Sequence, residues 1–296
     1  LARASLRLGT RGSPLALVQA GFVRDALATA HGIDAEIVVI RTTGDRVQNR
    51  ALAEIGGKAL WTKELDRALL AGEIDCAVHS MKDVETIRPR EIVIAAMLPR
   101  ADVRDRIIGA ASIADLPQGA TVGTSSPRRR AQLLHLRPEL RIVLFRGNVD
   151  TRLAKLAAGE ADATLLAAAG LERLGRHDIG TAIAIDVMLP APAQGAVGIE
   201  VRADDEARLR AFAAIGCATT ERCVLAERAF LAALHADCHS PVAALATEQD
   251  GTLRLRAELL AEDGSARVTG EGHDPATLAA SLLERSPPSI RDLFGG

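Results

Sequence analysis

The chain is almost without aromatic side chains. Its 296 residues include no tyrosine, one tryptophan and five phenylalanines, so aromatic residues make up 2%. That scarcity excludes the stacking platforms on which proteins hold single-stranded nucleic acid. Charge of one sign is also missing: 36 Lys and Arg against 38 Asp and Glu leave a formal net charge of -2. A balance so close to zero does not suit a protein that coats nucleic acid or an anionic membrane. No apolar run approaches the roughly 18 residues of a membrane span, and the opening "LARASLRLGT" lacks the apolar core and cleavage site of a secretory signal. The expectation is a cytoplasmic soluble protein with neither a membrane nor a nucleic-acid partner. Cysteine is sparse as well. Cys76, Cys217, Cys223 and Cys238 form no CxxC pair and lack the density of a secreted disulfide framework, so reduced thiols are expected.

What is present is a globular composition, 48% hydrophobic and 25% charged, in a chain long enough for two or three domains. Short β-rich runs alternate with helical patterns: "SLRLGT", "PLALVQAGFVRDALATA", "AEIVVIRT", "TKELDRALLAGE", "IDCAVHS". The rhythm restarts at "ATVGTSSP" and continues through "RIVLFRG", "VDTRLAKLAAGE" and "ADATLLAAAG". Such alternation is the mark of α/β domains with largely parallel strands. The tripeptide Met-Leu-Pro occurs twice, ending at Pro99 and Pro190, each time leaving an apolar run for an extended proline-containing stretch. This predicts a second domain inserted into the first. The expected boundaries are 1–98 with 190–215 for domain 1, 99–189 for domain 2, and 216–296 for a small α+β domain 3, whose runs "SPVAALAT", "TLRLRAELLA" and "ARVTGEG" read as strands.

Two loops echo each other. "GTRGSP" (9–14) and "GTSSP" (123–127) both end a strand and open a helix with Ser-Pro, an N-cap followed by proline at the first helical position. Loops at the carboxyl ends of parallel strands bind ligands, and helix N-termini favour anions. Three arginines directly follow the second loop, where the helix dipole disfavours cations. Arg128, Arg129, Arg146, Arg152 and Arg173 lie near helix starts or strand ends, with Arg11 in the matching first loop. Arginine's planar fork suits carboxylates and phosphates, and without a GxxxxGK[ST] or GxGxxG signature a polycarboxylate is the better match. Arg130 lies two residues from Arg128, and such neighbours do not share a helix face, so one of the triplet is expected in solvent.

In "IDCAVHSMKDVE" (74–85) an apolar strand ends at His79-Ser80, and Lys82-Asp83 follow where it emerges. A carboxylate there can stabilise a cation or move a proton, although an ordinary loop ion pair reads the same way. Cys76 sits in an apolar strand, and Cys223 falls in phase with Ala226, Phe230 and Leu234, so both are expected in the core; Cys217 gives no signal. Cys238 differs, because "HADCHSP" places it among polar residues past a helix end, as a reactive thiol would be. His235, Cys238 and His239 lack a fourth ligand and a standard spacing, so no metal site is expected.

Seven segments in order, "TRGSPLALVQA", "GGKALWTKELDRALL", "AVHSMKDV", "VGTSSPRRRAQL", "FRGNVDTRLAKL", "AAAGLERLG" and "PAPAQGAVGIE", resemble the porphobilinogen deaminase (hydroxymethylbilane synthase) family over nearly the whole chain. The resemblance implies a transferase of tetrapyrrole (porphyrin and haem) biosynthesis. It joins four porphobilinogen units head to tail with loss of ammonia, then releases hydroxymethylbilane by hydrolysis. It also implies two α/β domains of the type II periplasmic-binding-protein kind around a cleft, a small α+β C-terminal domain, and a monomer. The chain would grow on a dipyrromethane cofactor linked through Cys238. Arg11, Ser13, Lys82, Thr124, Ser125, Ser126, Arg128, Arg129, Arg146, Arg152 and Arg173 match positions for cofactor or substrate carboxylates. Asp83, with Lys82, matches the catalytic carboxylate that offsets the azafulvenium cation. Gln19, Lys58, Trp61 and Gln194 match further cleft positions, and no metal is implied. The sequence departs from the family pattern in Ala236-Asp237 ahead of the thiol, where glycine is frequent, in Glu54, often lysine, and in Trp61, often phenylalanine. A non-catalytic two-domain binding protein for a small polycarboxylate is the alternative.

Overall fold

The computed structural model of the chain describes residues 5–41 and 62–294. Strand β1 (Leu6–Arg11) leads into helix α1 (Pro14–His31), which Gly32 closes in the left-handed conformation with its N–H donating to the Ala28 carbonyl. Strand β2 (Ala35–Ile40), helix α2 (Lys63–Leu70), β3 (Cys76–Ser80) and β4 (Ile92–Met97) follow. The second run is β5 (Asp105–Ile108), β6 (Thr121–Gly123), α3 (Pro127–Leu136), β7 (Arg141–Val143), α4 (Val149–Ala157), β8 (Ala163–Ala167), α5 (Ala168–Arg173) and β9 (Thr181–Ala182). The chain then forms β10 (Val197–Arg202) and α6 (Glu206–Ala213). It ends with α7 (Ala218–Ala233), β11 (Val242–Gln249), β12 (Thr252–Leu260), β13 (Arg267–Gly272), α8 (Pro275–Arg285) and α9 (Pro288–Arg291).

The first sheet has the order β2-β1-β3-β10-β4 and the second β7-β6-β8-β5-β9. In each, three parallel strands are followed by a fourth, β10 or β5, that runs antiparallel to its neighbours. The two sheets thus repeat one topology, the α/β architecture that the alternating sequence pattern predicts. The chain leaves the first sheet after β4, builds the whole second sheet, and returns as β10. The third sheet, β11-β12-β13, is antiparallel throughout.

By compactness, described residues 5–41, 62–101 and 195–222 form one unit, and 102–194 with 223–294 form the other. The first is built around Leu8, Val23, Leu27, Val78, Ile199 and Phe212. The second has two apolar centres, one around Ile107, Val122, Leu133 and Leu165 and one around Phe230, Leu255, Leu259 and Leu282. Strand β3 is buried at four successive positions, as a parallel strand covered on both faces must be, whereas β13 shows the alternation of a sheet with one open face. Cys76 and Cys223 lie in these cores, as their apolar phase predicts, and burial pushes the Cys76 thiol pKa up. Among the described residues no helix is long and apolar enough to cross a membrane.

Candidate functional site

In the first unit, β1 and β3 are parallel neighbours, so the loops that follow them leave the same sheet edge. Ser13 caps α1, its side chain accepting from the Ala16 N–H at 3.3 Å, with Pro14 next. Arg11 is partly exposed at the end of β1. After β3 the chain makes a single 3-10 turn, Met81–Asp83. Met81 is buried beneath it, which leaves Lys82 and Asp83 half-buried at the sheet edge. The Asp83 carboxylate pairs with none of the described residues. Gln19, buried on α1, exchanges hydrogen bonds with Ser80, its Nε2 donating at 2.9 Å and its Oε1 accepting at 3.1 Å, and so ties α1 to the end of β3.

Sequence reasoning missed what holds this turn. Glu200 on β10 is fully buried and accepts from Arg88 twice, Nε to Oε1 and Nη2 to Oε2, both at 2.8 Å. His79 Nε2 lies 3.1 Å from Glu200 Oε2. Burial alone would raise the Glu200 pKa, but His79 and Arg88 outweigh it and hold the carboxyl down at about 2. Arg88 also donates to Glu85 at 2.8 Å and to Asp66 at 2.6 Å. The segment bearing Lys82 and Asp83 is therefore flanked by two residues at one carboxylate, Arg88 bonded to it through two hydrogen bonds and His79 close beside it. A glutamate inside the apolar run "AVGIEVR" was the available signal, since a buried charge requires a partner.

In the second unit Ser126 caps α3 as Ser13 caps α1, its Oγ accepting from the Arg129 N–H at 3.4 Å, and the buried Thr124 hydroxyl accepts from the Ser126 N–H at 3.2 Å. The preceding Gly123 leaves no room for a side chain: a Cβ there would lie 2.4 Å from the Phe145 ring. Arg130 is the arginine of the triplet left exposed, while Arg128 and Arg129 are 3% and 5% exposed. The sequence reading looked to a ligand for the acid that balances them. The structure supplies one from the chain itself. Asp105 accepts from Arg129 through a fork, Nε to Oδ2 at 3.2 Å and Nη2 to Oδ1 at 2.8 Å, and from Arg128 Nη1 at 2.8 Å. Burial would raise the Asp105 pKa, but the two guanidinium groups hold it far below the usual carboxylate range. Gln194, expected in a cleft, is instead completely buried and donates to Asp105 Oδ1 at 2.8 Å and to the Val103 carbonyl at 2.7 Å.

The two arginines differ in what remains open. Arg129 spends its Nε/Nη2 edge on Asp105 and its Nη1 on the Leu165 carbonyl at 2.9 Å. Arg128 bonds only through Nη1, so its Nε/Nη2 edge, the one suited to a bidentate carboxylate, meets no acceptor among the described residues. Arg146 goes further: it is 8% exposed, its Nη1 is buried without a hydrogen-bond partner, and it pairs with no acid among the described residues. Burial alone lowers its pKa. Arg152, on α4, donates from Nε to the Gly147 carbonyl at 3.0 Å and from Nη2 to Ser125 Oγ at 3.5 Å. Arg173 ends α5 half-buried, its pKa lowered by burial against the opposing charge of Glu172.

Cys238 is exposed and belongs to the same unit. The unusual Asp237 beside it organises the turn: its Oδ1 accepts from the His239 N–H at 2.8 Å, and its backbone N–H donates to Ser240 Oγ at 3.2 Å. An Asx turn does here with a side chain what glycine does with backbone freedom. His235, just upstream, adopts the left-handed region at φ 53°. Ligand atoms of Asp237, Cys238 and His239 lie within 4.8 Å of one another; His235 is not in that group. Lys58, Trp61 and Glu54 lie outside the described residues.

Residues 6–210 match the family model described as porphobilinogen deaminase, dipyromethane cofactor binding domain, and residues 221–285 match porphobilinogen deaminase, C-terminal domain. The chain belongs to the porphobilinogen deaminase family. A porphobilinogen deaminase from Sphingopyxis alaskensis is 59% identical over 98% of this chain and 96% of its own length. One from Paracoccus denitrificans is 55% identical over 97% and 96%. Solved structures with a weaker likeness include the methionine binding protein MetQ, at 14% identity and TM-score 0.45 over 74% of this chain and 92% of that one.

Proposed function

We propose that the chain is a hydroxymethylbilane synthase, condensing four porphobilinogen molecules with loss of ammonia and releasing the linear tetrapyrrole by hydrolysis. The reading takes the three-domain boundaries given above, a cytoplasmic setting and a monomer, the last testable by light scattering. The observation that carries it is Arg146: a guanidinium nine-tenths buried, with an unpartnered nitrogen and no acid partner among the described residues, answers an anion. Every pyrrole ring of the substrate carries an acetate and a propionate, so a growing chain needs several such anchors. Arg128 offers its open edge, and Arg11, Arg152 and Arg173 supply further cationic forks, with Ser13, Ser125 and Thr124 as neutral donors. Arg129 contributes through Asp105, which shares its charge between the two guanidinium groups.

The residues present fit a covalent dipyrromethane. Cys238 is an exposed thiol in an ordered turn, and the unit that carries it also carries Arg128, Arg146, Arg152 and Arg173. When bound, the cofactor supplies the terminal pyrrole carbon at which the chain lengthens. Porphobilinogen loses ammonia as its C–N bond breaks and a proton joins the leaving nitrogen. The remaining azafulvenium carries a positive charge, which the half-buried Asp83 carboxylate, with no ion-pair partner among the described residues, stabilises. The new C–C bond releases a proton from the attacked ring carbon, and Asp83 accepts it.

Intact mass decides the central point. Active protein carries a two-pyrrole adduct that Cys238→Ser abolishes; an unmodified mass in active protein overturns the attachment. Asp83→Asn folds and loads the adduct yet loses most turnover, on the order of 100-fold or more. Turnover near wild type would remove Asp83 from the mechanism.

A further inference from the structure

Gln132 follows Arg128 by one turn of α3, so their side chains share a face. It is 3% exposed and bonded on both ends of its amide. Its Oε1, which can only accept, takes the Arg128 Nη1 hydrogen bond at 2.9 Å. Its Nε2, which can only donate, reaches the Leu189 carbonyl at 2.9 Å and Glu258 Oε1 at 2.7 Å. Glu258 lies on β12 in the third sheet and is 5% exposed. An ionised carboxylate has no hydrogen to give, so it draws the amide nitrogen toward itself and turns the amide oxygen to Arg128. Asp105 Oδ2 grips the same Nη1 at 2.8 Å. With Nη1 held by Asp105, Gln132 and, at 3.2 Å, the Leu189 carbonyl, the guanidinium plane is set and its Nε/Nη2 edge has one orientation.

We propose that Glu258 and Gln132 are positioning residues for carboxylate recognition: strand β12 of the C-terminal module orients, through the Gln132 amide, the open edge of Arg128. The unit that carries the thiol thereby also presets an anchor for the chain attached to it. This inference rests on the reading of Arg128 as a carboxylate anchor, and the test separates the two.

Apoprotein is incubated with a porphobilinogen series, and intact mass gives the concentration at which half the chains carry the adduct. Far-ultraviolet circular dichroism reports folding. Arg128→Met raises the half-loading concentration; an unchanged value removes Arg128 as an anchor. Gln132→Met and Glu258→Gln each raise it about tenfold with helix content retained. The double variant Gln132→Met/Glu258→Gln loads like Gln132→Met alone, because Glu258 acts only through the amide. If Arg128→Met is impaired while both other single variants load like wild type, the relay is wrong. Multiplying defects in the double variant overturn it equally, since they require Glu258 to act by another route. Should Gln132→Met fail to fold, the near-isosteric Glu258→Gln decides alone by its loading concentration.

Discussion

Asp105 is 2% exposed and accepts four hydrogen bonds, three from Arg128 and Arg129 and one from Gln194. Asparagine in its place keeps the shape but loses the charge and turns one oxygen into a donor that faces donors. Two buried guanidinium groups then lose the acid they share. Breaking a buried ion pair from one side costs roughly 3–5 kcal/mol, and with one acceptor retained we expect the lower end, about 3 kcal/mol. For a chain of this size that corresponds to roughly 6–12 °C in melting temperature. Thermal and urea unfolding of Asp105→Asn followed by circular dichroism measure it. The double variant Asp105→Asn/Arg129→Met should regain much of the loss, because one uncompensated cation is gone. The sign with pH is also determined. The folded Asp105 pKa is depressed, so its contribution is present above the unfolded carboxyl value and is lost only as pH falls toward the folded one. A loss under about 1 kcal/mol, or an additive double variant, would refute the account in which Asp105 neutralises the arginines.

Glu200 predicts a second acid-sensitive element: its pKa falls from 4.5 to about 2 on folding, so its contribution, about 3 kcal/mol, is present above pH 4.5 and disappears as pH drops toward 2. Urea midpoints measured across that window should slope less in Glu200→Gln. Gly198→Ala should cost roughly 1–3 kcal/mol in urea unfolding and lower turnover, because its Cβ would fall 2.0 Å from the Met81 sulfur beneath the Lys82-Asp83 turn. Arg146→Met should melt no lower than wild type, having removed a buried cation without an acid partner, yet require more porphobilinogen for adduct loading; normal loading would remove Arg146 as an anchor.

Much of the architecture was legible in the chain because it rests on local and periodic features. The Ser-Pro openings of α1 and α3 announce caps that form as read, the apolar phase of Cys223, Phe230 and Leu234 places one helix face in a core, and the alternation of strand and helix predicts the three parallel strands of each α/β sheet, though not the antiparallel β10 and β5. Helical geometry alone puts one arginine of the triplet in solvent, and Arg130 is the exposed one. Pairings between distant residues carry no such period. Asp105 lies 23 residues before Arg128 in a run that offers no hint of its partner, and Glu200 stands 112 residues from Arg88. Nor could spacing show that Gln194 supports the arginines from a wholly buried position, or that Asp237 shapes the thiol turn. Residue types and local order thus determined the elements, the family and the set of groups available for chemistry. Which cation keeps an open edge and which is neutralised from within was decided only by tertiary structure, because charge compensation depends on distance in space and burial.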